Sequence, residues 1–232
     1  MNIFYAPAKQ INNGYAELTD QEAIHASKVM RVREGDQLVI VDGEGGRYKG
    51  PVRRITNKSV QIEIKNKEKL SQPSPPLILG MGIIKKRDRL EFAVEKAVEL
   101  GARHICLFRS EHTIKENVRM DRLESIALSA MKQSLRAWLP QISLFNSFKD
   151  LLEAFPNAHY LTAHEKIDAD QKNMNFNAGS NDQLLLLVGP EGGFSTDEIK
   201  TARDKGGQLV SLGSHRLRAE TAAVVFLSQF LS

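Results

Sequence analysis

A single cysteine, Cys106, stands in the 232-residue sequence, so neither an internal disulfide nor a thiolate zinc cluster can be built from it. The six histidines show no metal-ligand spacing, and no metal site is expected. The opening residues MNIFYAPAKQ hold no long apolar run, so no secretory signal is expected. No stretch approaches the roughly 20 apolar residues of a membrane-spanning helix. A cytoplasmic protein without membrane contact is the expectation. Several catalytic signatures are also missing. No G-x-G-x-x-G follows a strand pattern, since GEGGRYKG (43–50) lacks the third glycine in register. There is no P-loop, no H-E-x-x-H and no G-x-S-x-G. Dinucleotide redox chemistry, nucleotide hydrolysis and zinc chemistry are disfavoured together.

What is present is an ordinary globular composition, 41% hydrophobic and 26% charged, with a formal net charge of +4. Residues 1–70 carry 12 Lys+Arg against 9 Asp+Glu, the remainder 20 against 19. A basic first segment suits nucleic acid, because phosphate contacts need Lys and Arg. An excess of this size is equally what a solvated surface carries.

LSQPSPP (70–76) is rich in proline and serine and reads as an extended linker. Before it, QLVIV (37–41), PVRRI (51–55) and SVQIEIK (59–65) read as strands, with turns at Asp42-Gly43 and Asn57-Lys58. One helix is expected over 20–32, capped by Thr19 or Asp20. Short strands with one helix suggest a small barrel. After the linker, strand and helix patterns alternate. LILGMGII (77–84) is a buried strand, followed by a helix with Leu90, Ala93, Val94, Ala97 and Val98 on one face, Asp88 and Glu91 as its capping signal and Gly101 at its end. Strands are expected at 104–108, 159–163, 183–189 and 208–212, and helices near 121–136, 147–155, 196–206 and 220–231. This is an α/β domain on a largely parallel sheet. The stretch 168–182, rich in Asn, Asp and Gly, reads as a mobile loop.

Two segments sit where open α/β sheets keep ligands, just past strand ends. VGPEGGFS (188–195) is a glycine-rich turn whose backbone can approach a ligand and which leads into a helix N-terminus; a plain strand-to-helix turn would look the same. LGSHRLRAETA (212–222) packs His215, Arg216, Arg218 and Glu220 into six residues. Helix-start chemistry explains Glu220, but two arginines and a histidine in one loop suit an anionic substrate such as RNA. KKRDR (85–89) is a basic cluster at another strand end, readable as a solvated face or as an anion contact.

Together these two loops resemble the signature of the RsmE family of 16S ribosomal RNA uridine methyltransferases, members of the SPOUT superfamily. HASKVMRVREGD (25–36), RDRLEFAVEKAVELGA (87–102) and KQSLRAWLP (132–140) are similar to further family segments in the same order. Two departures stand out. Lys132 precedes the Gln-Ser pair where the family often has Glu, and Ser214-His215-Arg216 stands where it often has Pro-Arg-Ile.

The resemblance implies a PUA-like RNA-binding β-barrel over 1–70, a linker over 71–76 and a SAM-binding α/β domain with a deep trefoil knot over 77–232. It implies a homodimer through that domain. The expected activity is methyl transfer from S-adenosylmethionine (SAM) to N3 of a uridine in 16S rRNA, within the small ribosomal subunit. The expected SAM contacts are Leu161, Thr162, Ala163 and His164; Val188, Gly189, Pro190, Glu191, Gly192 and Gly193; and Leu212, Gly213, Leu217 and Arg218. Arg218 is the candidate for steadying the uracil anion, with Glu220 or Glu191 as base or as its orienting partner. The expected RNA contacts are His25, Arg31, Arg33, Lys85, Lys86, Arg87, Arg136, His215 and Arg216, and which of the last two faces substrate stays open. The rival readings are a SPOUT enzyme acting on another RNA such as tRNA, a non-catalytic RNA-binding assembly factor, and an α/β protein for some other small ligand.

Overall fold

The structure is a computed structural model that describes residues 3–113, 118–165 and 182–231. Apart from Asp182, the loop expected over 168–182 lies outside the described residues. The chain divides into two compact units, Met1–Gln72 with Leu128–Leu139, and Pro73–Ala127 with Pro140–Ser232.

The first unit holds seven strands: β1 (Ile3–Tyr5), β2 (Ile11–Asn12), β3 (Tyr15–Thr19), β4 (Gln37–Val41), β5 (Gly46–Ile55), β6 (Ser59–Glu63) and β7 (Asn66–Lys69). They pair in the order β1-β4-β5-β6-β3-β2, with β7 also on β5. All pairs are antiparallel except β1 with β4. The barrel expected from the sequence is thus an open series of pairings among the described residues. An irregularity between Val52 and Arg54 interrupts the β5–β6 register, where an extra residue bends a strand. Alternation along β6 puts Val60 and Ile62 inward, beside Leu18, Ile40 and Val52.

The helix expected over 20–32 is shorter. α1 (Asp20–Ile24) widens into a π-helical turn, His25–Val29, in which the Met30 amide reaches back to the His25 carbonyl at 2.9 Å. The Ser27 hydroxyl donates to the Ala23 carbonyl at 2.7 Å, a back-bond that disturbs a regular helix. Arg31, with φ +53°, ends it.

The sequence reading placed residues 128–139 with the second part, but their contacts are with the first unit. Trp138 bridges Glu44, its indole N–H donates to the Ser71 carbonyl at 3.1 Å, and its ring covers Gly45. A Cβ on Gly45 would run into that ring, so only glycine fits there. Lys132 pairs with Glu22, and the Arg47 guanidinium donates to the Leu135 carbonyl at 3.2 Å. Sequence periodicity carries no trace of such long-range ties.

The second unit is built on six parallel strands. In chain order they are β8 (Leu77–Gly82), β9 (His104–Phe108), β10 (Gln141–Phe145), β11 (His159–Ala163), β12 (Leu184–Val188) and β13 (Gln208–Val210). Their order across the sheet is β10-β9-β8-β12-β11-β13. β8 and β12 are fully buried, as strands covered on both faces must be. α2 (Arg87–Glu99) and α6 (Ala219–Ser228) pack together, with α6 on β8 and β12. α4 (Phe148–Ala154) lies against β9, β10 and α5 (Thr196–Asp204). Between these helices and the sheet sits a cluster of Phe108, Phe148, Leu151, Leu185 and Leu187, with Phe194 packed on it. Burial of each such side chain contributes about 1.5–3 kcal/mol. α3 (Met120–Gln133) spans the boundary between the two units.

The expected start of α2 needs correction. Lys86 is its N-cap, without a side-chain bond, and Asp88 is a first-turn residue whose charge faces the helix's positive end. Ser195 caps α5, in a reciprocal capping box with Glu198.

Candidate active site

Strand order makes the site. β12, β11 and β13 are neighbours, so the segments leaving their carboxyl ends converge although they lie far apart in sequence. They line a cavity of about 400 Å³. Ala163, His164 and Glu165 come from the first segment and Val188 to Phe194 from the second. Ser211 to Gly213 and His215 to Ala219 come from the third, with Glu220 and Ala222 of α6 and Arg89 of α2 completing the wall.

The glycine turn is shaped by close approach. A Cβ on Gly189 would lie 3.0 Å from the Gly193 carbonyl carbon and 3.1 Å from the Phe194 nitrogen, both backbone atoms. A Cβ on Gly192 would lie 2.9 Å from Cβ of His112. The turn closes through the Gly193 amide donating to the Pro190 carbonyl at 2.9 Å. It is tethered on several sides. The Glu191 carboxylate accepts the Lys85 amide at 3.0 Å, and the Glu191 carbonyl accepts from Arg216 at 3.2 Å. His112 Nδ1 stands 3.2 Å from the Gly193 carbonyl oxygen. Behind it, buried Glu198 accepts from the Ser110 hydroxyl, the Glu111 amide and the Ser195 amide, joining the segment after β9 to the start of α5.

Three arginines and three glutamates line the cavity, and they are not equivalent. Arg216 pairs with Glu165 at 3.1 Å and thereby links all three segments. Arg89 pairs through Nε with buried Glu220 at 3.5 Å. Arg218, the N-cap of α6, is exposed and has no ion pair among the described residues. Among the described residues it is the cavity arginine that no carboxylate pairs with.

Most of the residues expected at the cofactor are brought together here: Ala163, His164, Val188 to Gly193, Leu212, Gly213, Leu217 and Arg218. Leu161 and Thr162 are not. They lie inside β11 with almost no exposure, because only residues at or past the strand end reach the cavity. Thr162 is wholly buried, and its hydroxyl has no partner among the described residues. Glu191, Arg218 and Glu220 all line the cavity, though both carboxylates already hold a donor.

The residues expected to touch RNA divide between the two units. His215 and Arg216 are at the cavity rim, and Lys85, Lys86 and Arg87 line a neighbouring depression with Asp88 and Glu91. In the first unit, His25 packs against Phe4 with ring centroids 5.7 Å apart and the planes tilted by 50°, while Arg31 and Arg33 are exposed. Arg136 is half-buried, and burial holds its guanidinium below the usual arginine range. The sequence reading did not single out Arg89 or His112. Arg89 lay within the basic cluster 85–89, but only the packing of α2 on α6 turns it into the cavity. Among the described residues no cluster of acidic, histidine or cysteine side chains could hold a metal ion, and no helix is long and apolar enough to cross a membrane.

This arrangement can be set beside known proteins. An RNA methyltransferase domain model matches residues 71–231, and an RNA methyltransferase PUA domain model matches residues 18–65. The ribosomal RNA small subunit methyltransferase E of Rickettsia conorii is 31% identical over 98% of this chain and 94% of its own length. The chain belongs to the ribosomal RNA small subunit methyltransferase E family. Another member of this methyltransferase E family, from Mycobacterium tuberculosis, is 29% identical over 97% of this chain and 89% of its own. The crystal structure of the Neisseria gonorrhoeae member, bound to S-adenosyl methionine, superposes with a TM-score of 0.86. That pair is 27% identical, covering 99% of this chain and 96% of the other. The methyltransferase E fold therefore extends over both units, and the smaller one is PUA-like.

Proposed function

We propose that this protein transfers a methyl group from SAM to N3 of a uridine in 16S rRNA. The observation that carries the reading is the cavity built by three strand-end segments around a glycine turn, in a chain that superposes along its length on a SAM-bound family member. The cavity fits the cofactor. Its volume of about 400 Å³ lies in the range of small-molecule sites, and the glycines of the turn leave its backbone bare on the cavity wall. Glu191, whose carboxylate has no ion pair among the described residues, suits a cationic ligand. Ala163, Val188, Leu212 and Leu217 would wall the adenine, while Gly189, Gly192, Gly193 and Gly213 would present backbone polar groups. Bound there, SAM supplies an electrophilic methyl group on a sulfonium.

The rest falls to the chain. Uridine N3 holds a weakly acidic proton, and its lone pair is free only as that proton leaves. Arg218, uncompensated at the cavity, stabilises the negative charge that develops on the uracil ring. Glu191 keeps the turn in place through the Lys85 amide, Glu220 holds Arg89, and the N3 proton passes to water. His215 and Arg216 sit at the rim, where substrate enters. Lys85, Lys86 and Arg87 contact phosphates, with Arg31 and Arg33 of the PUA-like unit adding theirs. By resemblance to its family, the reading extends to a trefoil knot in the methyltransferase domain, a homodimer through it, and a cytoplasmic enzyme acting on the small subunit.

The test is labelled methyl transfer from SAM to small subunits lacking the modification, with the product nucleoside identified by mass spectrometry. 3-Methyluridine is the expected product. SAM binding without transfer to these subunits would move the reading to another RNA.

A further inference from the structure

We propose that Arg89, oriented by Glu220, recognises the O4 carbonyl oxygen beside uridine N3 and so selects uracil over cytosine. This rests on the methyltransferase reading above and assigns a role to Arg89, which the sequence motifs leave without one.

Arg89 lines the cavity although it belongs to α2, an element that contributes none of the three strand-end segments. Its place depends on Glu220. That carboxylate is 8% exposed at the start of α6, and a buried carboxylate needs a charged or hydrogen-bonding partner. Arg89 Nε supplies it at 3.5 Å. Nε is the inner nitrogen of the guanidinium. With it turned to Glu220, the two terminal nitrogens remain, and neither makes a hydrogen bond among the described residues. A guanidinium is always charged and presents its donors in a fixed plane. Paired through Nε with a buried acid, it leaves its terminal nitrogens to whatever occupies the cavity.

The chemistry of the substrate fits those donors. Uracil places a carbonyl on each side of N3, and both oxygens gain negative charge as the N3 proton leaves. Cytosine replaces one carbonyl with an amino group, a donor that would meet the arginine's donors with no acceptor between them. A site built to donate to an oxygen discriminates strongly against an analogue that lacks it. Arg218 and Arg89 then divide the work. Arg218 is uncompensated and supplies net charge, whereas Arg89 is neutralised by Glu220 and supplies direction.

The experiment compares wild-type protein, Arg89→Gln, Arg89→Lys and Glu220→Gln. SAM affinity is measured by calorimetry. Single-turnover methylation of unmodified small subunits, carrying either uridine or cytidine at the target position, is followed between pH 6 and pH 10. Arg89→Gln is expected to slow uridine methylation about 10²–10³-fold, the effect of removing one donor to a developing oxyanion. Its SAM Kd should stay within about threefold of wild type. The deficit should narrow toward pH 10, where the uracil anion forms without help, and the preference for uridine over cytidine should fall. Arg89→Lys should recover part of the rate but little of the discrimination, and Glu220→Gln should resemble a weaker Arg89→Gln. A SAM Kd raised in proportion to the rate loss would overturn the proposal and give Arg89 to the cofactor. A rate loss equal at every pH with selectivity unchanged would overturn it in favour of a purely structural pair. If wild-type protein makes no 3-methyluridine, the underlying reading fails instead, an outcome seen before any variant is compared.

Discussion

Replacing Gly192 by alanine should weaken SAM binding, and removing His112 should restore it. An alanine Cβ at 192 would stand 2.9 Å from Cβ of His112, where ordinary contact begins near 3.4 Å. One of the two must move by about half an ångström or more. His112 cannot retreat easily, because its segment is tied to buried Glu198 through Ser110 and Glu111. The glycine turn must therefore shift toward the cavity it lines. Forcing one extra carbon into a packed contact costs about 1–3 kcal/mol. At 1.4 kcal/mol per tenfold, SAM Kd should rise about 5- to 150-fold. Calorimetric titration of Gly192→Ala, His112→Gly and the double variant measures this, since a double-mutant cycle isolates the pairwise clash. His112→Gly alone loses the contact from Nδ1 to the Gly193 carbonyl and should cost less than the alanine does. The double variant should bind within about threefold of His112→Gly. Gly192→Ala titrating like wild type, or binding equally poorly with and without His112, would refute the reasoning.

Arg218→Ala should abolish turnover while leaving thermal unfolding unchanged, because its side chain is exposed and unpaired among the described residues; near-normal turnover would refute its role. Glu198→Ala removes the acceptor for three donors and half of a capping box, and should lower stability by about 2–4 kcal/mol in chemical denaturation. Burial, with the nearby Arg103 charge, holds His104 below the usual histidine range, so the unfolded chain takes up its proton first. Stability should accordingly fall as pH drops below about 6.5 and level off once the folded form also protonates, and denaturation of His104→Gln should show a shallower slope across that window. Burial pushes the Cys106 thiol far up, so a thiol reagent at pH 8 should label it only after unfolding.

Local pattern was enough for much of this protein. Strands 37–41, 104–108 and 159–163 match β4, β9 and β11 to the residue, since β-branched and apolar runs between turn residues leave few alternatives. The apolar face of α2 was set by its 3.6-residue period. The two loops of the site could be read as loops, and their residues pointed to RNA methyl transfer through family resemblance. Other elements left no local signal. β7, the wholly exposed NKEK, is a strand only because β5 pairs with it, and β10 is an edge strand paired with β9 alone. The first half of β5 was hidden by its glycines. The site itself depended on the order of strands across the sheet. That order brings 163–165, 188–194 and 211–219 together, buries Leu161 and Thr162, and turns Arg89 from a basic surface cluster to Glu220. Periodicity and capping are written in neighbouring residues, and the sequence by itself determined them. Which strand lies beside which, and which charge meets which, are decided by contacts across long stretches of chain, and only the tertiary structure holds those.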